Sequence, residues 1–136
     1  MANTMIPDTH KDLVEKPYYA IVTTVMPDGQ PQSTVVWADY DGKNIRFNTA
    51  RGRQKDKNLL DNPKVTLVIV DPNNGFHWLE VRGIAHVTEE GGREHIEALS
   101  RKYTGRNYYG DFNTRSTPES ETRLMITIEA TKLNLN

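Results

Sequence analysis

The chain has 136 residues, carries 17 Lys and Arg against 18 Asp and Glu for a net charge of −1, and contains no cysteine. This length predicts one domain, over residues 1–136, with a core of its own. The missing cysteines exclude disulfides and a thiolate nucleophile, and the balanced charge argues against a nucleic-acid partner. Without a secretory leader pattern or an apolar run of about 18 residues, we expect a cytoplasmic protein with no membrane partner.

Segments rich in β-branched and aromatic residues, segments that alternate apolar and polar residues, and one apolar run together predict six strands. In chain order they cover residues 18–25, 32–40, a segment around 45–47, and residues 65–70, 76–88 and 123–133. Pro27-Asp28-Gly29 and Asp41-Gly42 supply the turns between the first three strands. Val65–Val70 is a nearly continuous apolar run, which is typical of a strand covered on both faces. Gly83 predicts a bulge or bend in the fifth strand.

Two short helices are predicted near the first and third strands. Asp8 or Thr9 is suited to cap the first, which ends before Pro17. Gln54–Asp61 forms the second, and Pro63 follows it. These assignments leave most of the chain to strands.

One long amphipathic helix is predicted over Gly91–Tyr103. Ile96 and Leu99 lie on its apolar face, Thr88 is suited to cap its start, and Gly105 is suited to end it. Residues 106–118 are polar and aromatic and predict no regular element. Six strands with this helix between the fifth and sixth predict an all-β fold with one or two helices, closed into a small barrel.

The most informative stretch for function is Phe47–Leu59, which runs from a strand into a helix start. Basic residues occupy alternate positions there, at Arg51, Arg53, Lys55 and Lys57. A cationic turn with free backbone N–H groups beside a helix N-terminus suits a phosphate or another anion. Asn48 and Thr49 add side-chain donors, and Gly52 adds backbone freedom. A solvated basic loop is the alternative interpretation.

Other candidate groups carry weaker signals. Four histidines, at positions 10, 77, 86 and 95, are too scattered along the chain to predict a metal site. Glu80 beside Arg82 would suit acid–base chemistry only if buried, so no catalytic residue is assigned. Trp37 and Trp78 could stack on a flat ligand, although packing within a strand is the commoner role of such aromatic residues.

Several short phrases in a fixed order resemble the FMN-binding split barrels related to pyridoxamine 5′-phosphate oxidase. The similarity spans about residues 10–133 and is greatest to the deazaflavin (F420)-dependent oxidoreductase branch. The matching phrases are Asp28-Gly29-Gln30-Pro31, Ser33–Trp37, Phe47-Asn48-Thr49, Lys55-Asp56-Lys57-Asn58-Leu59, Asn62-Pro63-Lys64-Val65, Glu80-Val81-Arg82-Gly83 and Leu99–Gly105. The resemblance implies a six-stranded antiparallel split β-barrel that forms a homodimer with its cofactor at the interface.

The resemblance also implies a role for each part of the site. The backbone of the second strand would bond the flavin-like ring, the end of the third strand and the basic turn would hold the phosphate, and Lys55 matches the family's phosphate-binding lysine. Trp78 would reach the ring bound by the partner subunit. The implied cofactor-binding residues are Ser33, Thr34, Val35, Val36, Asn48, Thr49, Arg51, Arg53, Gln54, Lys55, Asn58 and Trp78.

The expected function is that of an oxidoreductase that binds F420 and passes a hydride to a small electron-poor organic acceptor. An FMN flavoprotein on the same scaffold and a non-catalytic cofactor-binding protein are the alternatives. Pyridoxamine oxidation is disfavoured for two reasons. The oxidases proper have Ser-Arg-Lys where this chain has Arg53-Gln54-Lys55, and they continue into a substrate-binding segment beyond the last strand, whereas this sequence ends at Asn136.

Overall fold

The computed structural model describes residues 5–108 and 120–136 and contains seven antiparallel strands. Their bounds are β1 Ala20–Val25, β2 Pro31–Val36, β3 Ala38–Tyr40, β4 Ile45–Ala50, β5 Lys64–Asp71, β6 Asn74–Thr88 and β7 Arg123–Leu135. They form one sheet in the order β2-β1-β5-β6-β7-β4-β3. The prediction of a mostly β, antiparallel fold is therefore confirmed.

The seventh strand arises because the predicted second strand is divided at Trp37. On one side of this residue β2 pairs with β1, and on the other side β3 pairs with β4. The sheet is accordingly open along its hydrogen-bonded ladder, with β2 and β3 at its two edges. Because these edge strands follow each other in the chain, Trp37 joins the two ends of the curled sheet covalently.

Three helices accompany the sheet: α1 (Lys11–Glu15), α2 (Gln54–Asp61) and α3 (Gly92–Thr104). The prediction for α2 is confirmed at both ends. The predicted cap of α3 at Thr88 is wrong, because β6 runs through that residue and Gly91, with φ of 79°, precedes the helix without a side-chain cap. Gly105 ends α3 as predicted, in the left-handed conformation.

The first helix also starts differently from the prediction. A 3₁₀ turn over Asp8–His10 leads into α1, and neither Asp8 nor Thr9 caps it with its side chain. Of the segment predicted to be irregular, residues 109–118 lie outside the described residues. No helix in the two described ranges is long and apolar enough to cross a membrane.

The core lies on the concave face of the sheet. Phe47, Leu67, Leu79 and Ile126 are completely buried there, each contributed by a different strand. On β5 the burial alternates, and Val70 is 41% exposed, so the prediction of a strand covered on both faces is wrong for the single chain. The apolar run of β5 thus supplies both the core and an exposed outer surface.

Two glycines allow close backbone approaches around β7. Gly83 lies at a shift of register between β6 and β7, which confirms the predicted bulge, and a Cβ at this position would overlap the carbonyl of Glu129. At Gly92, a Cβ would overlap the carbonyl of Arg123. The first turn of α3 therefore rests directly on the backbone of β7, next to the cavity described below.

Candidate functional site

A cavity of about 210 Å³ opens where the start of α2, the first turns of α3 and the ends of β2, β4 and β7 meet. Half of its lining comes from the sequence-predicted site, namely Val35, Val36, Asn48, Thr49, Arg53 and Lys55. The other half is Tyr19, Trp37, Ile96, Leu99, Tyr108 and Arg123. We call this feature the basic cavity, because Arg53, Lys55 and Arg123 all contribute to its wall.

One wall of the basic cavity is aromatic. Trp37 stacks on Tyr103 of α3, with ring centroids 5.5 Å apart and an interplanar angle of 17°, and Tyr19 lies 5.8 Å from the same ring. The Tyr103 hydroxyl donates to the carbonyl of Tyr18 at 2.5 Å and accepts from the N–H of Ala38 at 3.0 Å. Helix α3 thereby fixes the chain on both sides of the aromatic wall.

Lys55 is the least compensated charge of the cavity. It makes no hydrogen bond or ion pair with any residue that the structure describes, and it is only partly exposed. Burial, together with the neighbouring charges of Arg53 and Arg123, lowers the pKa of its ammonium group. A half-buried cation beside two others is unfavourable by itself, and an anion in the cavity would offset that cost.

Arg123 is held rigidly at the cavity wall, with only 4% of its side chain exposed. Its Nε donates to Oδ1 of Asn48 at 2.8 Å, and its Nη1 donates to Glu121 at 3.1 Å and to the Tyr108 hydroxyl at 3.0 Å. Its guanidinium carbon also lies 5.0 Å from the Tyr108 ring centroid. Among the described residues, Nη2 has no partner, which leaves a charged donor for a ligand.

Arg53 shares the carboxylate of Glu121 with Arg123. Its Nη2 lies 3.0 Å from Oε2 of Glu121, and the Glu121 side chain is only 5% exposed. Of the residues that the structure describes, three cations and one carboxylate therefore surround the cavity. This excess of positive charge, in a partly desolvated position, favours an anionic ligand.

Asn48 and Thr49 lie side by side at the end of β4 but differ in their bonding. The Asn48 amide is occupied by Arg123, by the carbonyl of Gly92 at 2.9 Å and by Nδ1 of His95 at 3.1 Å. The hydroxyl of Thr49 is buried and has no hydrogen-bond partner among the described residues. Thr49 thus offers a donor to the cavity, whereas Asn48 mainly positions Arg123.

The expectation of free backbone N–H groups in the basic turn is wrong for its central residues. Arg51 and Arg53 donate to backbone carbonyls at 2.9 and 3.2 Å, and Gly52 donates to the carboxylate of Asp56 at 2.8 Å. Asp56 is buried and turns back from α2 to close the loop. Only the first-turn N–H groups of residues 54–56 lack an acceptor within their helix.

The other predicted site residues do not line the basic cavity. Arg51 pairs with Glu89 on the surface at 3.1 Å. The side chain of Gln54 bonds Asn58, which in turn donates to Thr24 of β1. These three side chains support the turn and α2. The alternating charges predict Arg51 as a ligand contact, but its side chain does not line the cavity.

Ser33 and Thr34 of β2 and Trp78 of β6 are the remaining predicted site residues. Ser33 bonds Thr23 across the exposed face at 2.8 Å, and the Thr34 hydroxyl is buried without a partner in the described chain. Trp78 lies on the convex face of the sheet, next to Val68 and Val70, and three strand spacings separate its strand from β2. It therefore does not contribute to the basic cavity of its own chain.

The histidines are closer together than their sequence positions suggested. The rings of His10 and His77 lie 4.7 Å apart, and Nε2 of His77 lies 3.1 Å from Asp12. His10 and His77 meet although they are far apart in the sequence, because the fold places the 3₁₀ turn and α1 against β6. Within residues 5–108 and 120–136, however, no group of three or more metal-ligating side chains forms.

Arg123 is the main site residue that sequence reasoning missed. It lies 70 positions after Arg53 but pairs with Ala50 in the β4–β7 ladder, at the start of the basic turn. A basic residue at the first position of a strand that otherwise alternates apolar and polar residues was the available signal. It became informative only once the pairing of β4 with β7 was known.

Comparison with known proteins gives a family match over nearly the whole chain. Residues 6–135 match the family described as pyridoxamine 5′-phosphate oxidase. A pyridoxine/pyridoxamine 5′-phosphate oxidase from Bacteroides thetaiotaomicron is 28% identical over 110 residues, which are 79% of this chain and 48% of that protein. The chain thus spans about half the length of this curated relative.

Solved structures give a closer match in length. A structure described as an F420 reductase is 30% identical, with a TM-score of 0.80, and the alignment covers 95% of this chain and 98% of that one. A conserved hypothetical protein from Mycobacterium tuberculosis is 24% identical, with a TM-score of 0.73, and the alignment covers 98% of this chain and 86% of that one. The second similarity supports the fold.

Proposed function

Because the chain belongs to the pyridoxamine 5′-phosphate oxidase family, we propose that it is an oxidoreductase that uses the deazaflavin coenzyme F420. The acceptor of the hydride is a small electron-poor organic molecule. The similarity to an F420 reductase, at 30% identity over 95% of this chain, supports the choice of coenzyme. The resemblance of the sequence to the F420-dependent branch agrees with it.

The observation that carries the proposal is the unpaired Lys55 in the basic cavity. Together with Nη2 of Arg123 and the buried hydroxyl of Thr49, it forms a set of donors without acceptors among the described residues. A phosphate oxygen satisfies such a set, because charge-assisted hydrogen bonds to a buried anion are stronger than neutral ones. The residues present therefore fit a cofactor that carries a phosphate group.

The ring of the cofactor would lie toward β2 and the aromatic wall. As an edge strand, β2 presents backbone N–H and C=O groups on the side that faces away from β1. Such groups can bond the polar edge of a flat ring, while Trp37 and Tyr19 supply apolar contact area. When bound, reduced F420 supplies the hydride, and the chain binds the phosphate, orients the ring and limits the access of water.

We also propose that two copies of the chain form the working unit. Exposed apolar side chains lie in register on the convex face, where Ile21 pairs with both Val35 and Val68, and Val70 pairs with Trp78. Ile21 and Val35 are 41% and 60% exposed. This convex apolar face adjoins the basic cavity at Val35, so a second copy that covers it would place its own Trp78 near the cofactor ring.

A titration with two coenzymes tests the proposed function. Purified protein is mixed with oxidised F420 or with FMN, and binding is followed through the absorbance and fluorescence of each coenzyme. The proposal predicts saturable binding of F420 and weaker binding of FMN, followed by consumption of reduced F420 when an electron-poor acceptor is added. Protein that retains FMN and does not bind F420 would favour a flavoprotein on the same scaffold, and tight F420 binding without turnover of any acceptor would favour a cofactor carrier.

A further inference from the structure

A chain of hydrogen bonds and close polar contacts leads from Arg123 of β7, across β4, to Asp39 of β3. It begins at Arg123, whose Nε–H requires an acceptor and finds Oδ1 of Asn48 at 2.8 Å. For the Asn48 amide to present its oxygen to Arg123, its Nδ2 must point the other way, where it donates to the carbonyl of Gly92 and to Nδ1 of His95. The direction of one amide therefore decides whether Arg123 has an acceptor.

His95 supports that direction by accepting the second amide hydrogen of Asn48, while the carbonyl of Gly92 accepts the first. The amide of Asn48 donates to Nδ1, so Nδ1 must be unprotonated and the ring proton must reside on Nε2. Nε2 lies 3.2 Å from Oδ2 of Asp39, and the His95 side chain is 3% exposed. A proton on Nδ1 would instead face the amide hydrogens of Asn48, and the bond would be lost.

Asp39 is held as a carboxylate on the other side of His95. Arg46 binds it through two parallel bonds, from Nε and from Nη2, each of 2.9 Å. Burial by itself would raise the pKa of Asp39, but the nearby His95 and the hydrogen bonds from Arg46 outweigh it and lower the pKa to about 2. A permanent acceptor therefore faces Nε2 of His95 and favours the tautomer that Asn48 requires.

We propose that His95 is a positioning residue of the anion site, which acts through Asn48 to hold the Arg123 guanidinium against the basic cavity. His95 itself does not line the cavity. Without its Nδ1 acceptor, one hydrogen of Asn48 is left unsatisfied in a buried position, and the carbonyl of Gly92 alone holds the nitrogen side of the amide. The acceptor that fixes the plane of Arg123 is then held less firmly. This inference rests on the proposed function, because it assumes that the cavity binds an anion.

Two substitutions separate the positioning role from a general role in packing. In His95→Asn, the amide oxygen can take the place of Nδ1 and still accept from Asn48, whereas the contact with Asp39 is lost. In His95→Gln, the longer side chain can reach Asp39, but the acceptor for Asn48 is lost. Both variants remove ring atoms from the same buried position, so a role in packing alone predicts similar effects for both.

The test measures the affinity for inorganic phosphate by calorimetry, together with the midpoint of thermal unfolding of the phosphate-free protein. Loss of one hydrogen bond predicts that His95→Gln binds phosphate about fivefold more weakly, while His95→Asn stays within about twofold of the wild type. In an Arg123→Lys background, which lacks the Nε donor, His95→Gln should have no further effect on phosphate affinity. A measurement on the unaltered protein adds a check that does not depend on the folding of a variant: ¹⁵N spectra should show His95 as the neutral Nε2–H tautomer.

The outcomes distinguish this inference from the proposed function. Equal phosphate affinities of His95→Gln and the wild type, an equal loss in both His95 variants, or an Nδ1–H tautomer in the wild type would overturn the positioning role alone. If the wild type has no measurable affinity for phosphate, both the positioning role and the phosphate-binding cavity are wrong. The fivefold loss, its recovery in His95→Asn and its absence in the Arg123→Lys background would support the inference.

Discussion

The basic cavity and the convex apolar face are unfavourable in the isolated chain for opposite reasons. In the cavity, charged groups are withdrawn from water, and Lys55 has no anion to compensate it among the described residues. On the convex face, Ile21, Val35 and Val70 remain in contact with water. Each surface therefore favours a different occupant: the cavity favours a small anion, whereas the face favours a second apolar surface.

The two surfaces also differ in how they are built. The cavity depends on individual bonds, as in the contacts of Arg123 with Asn48 and Glu121, and a single substitution can disorganise it. The convex face depends on the summed area of several side chains in register, of which Ile21 is the central one. Substitutions in the cavity should therefore change binding, and also stability where the side chain is bonded within the chain, whereas those on the face should change assembly.

The largest effect is expected from a charge placed on the convex face. Ile21→Lys introduces an ammonium group between Val35 and Val68, where a second copy would have to desolvate it. Light scattering should show a fall from twice the chain mass to the 15.5 kDa of a single chain. Leu60→Lys is the control, because Leu60 is equally apolar and 69% exposed but lies on α2. A wild-type protein of 15.5 kDa at micromolar concentration would contradict the proposed dimer.

The next effect concerns the stability supplied by the cavity wall. Arg123→Met leaves Oδ1 of Asn48 without its donor and leaves Glu121 with Arg53 as its remaining cation. Removing one partner of a buried ion pair leaves the other charge uncompensated. We therefore expect the free energy of unfolding, measured with urea, to fall by about 3 kcal/mol. The result would show that the cavity wall contributes to folding as well as to binding.

Arg51→Met is the matched control for this change. Arg51 also pairs with a glutamate, but its side chain is 50% exposed, and exposed ion pairs contribute at most about 1 kcal/mol. Equal losses in the two variants would mean that the burial of Arg123 does not distinguish it from a surface arginine.

The smallest effect is expected in the acid range. The pKa of Asp39 is lowered from 3.8 to about 2, so its ionisation stabilises the folded chain above the ordinary value, and this contribution is lost as the pH falls through the lowered one. The stability difference between wild type and Asp39→Asn should therefore be largest above pH 4 and should shrink toward pH 2. A difference independent of pH in this range would show that Asp39 is not held as a carboxylate in the way described.

Much of the fold follows from local patterns in the sequence. The β-branched residues of β1, the alternation on β4 and β7, the turn at Asp41-Gly42 and the left-handed Gly105 each depend on neighbouring residues only, and all were predicted. The break at Trp37 was not predicted, because the residues on both sides favour strands. Its cause is the exchange of β1 for β4 as the pairing partner, and pairing between distant strands leaves no local signal.

The residues of the candidate site also differ in whether a local sequence pattern could predict them. Lys55 and Arg53 were found because their charges recur within a few residues before a predicted helix. Arg123 and His95 were not assigned to the site, since both come from distant parts of the chain: β7 brings Arg123 to the cavity, and α3 brings His95 to Asn48 behind it. The convex apolar face could not be predicted from the sequence either, because an exposed apolar residue on a strand has the same sequence pattern as a buried one.

The central claim is that the cations of the basic cavity hold the phosphate of a cofactor, and the most direct test is the affinity of Lys55→Ala for the coenzyme that the wild type binds. Loss of one charge-assisted contact predicts a dissociation constant about tenfold to a hundredfold higher, with little change in stability, because Lys55 has no partner among the described residues. Lys57→Ala, on the same helix but exposed and outside the cavity, should bind as the wild type does. Equal dissociation constants for the two variants would contradict the claim.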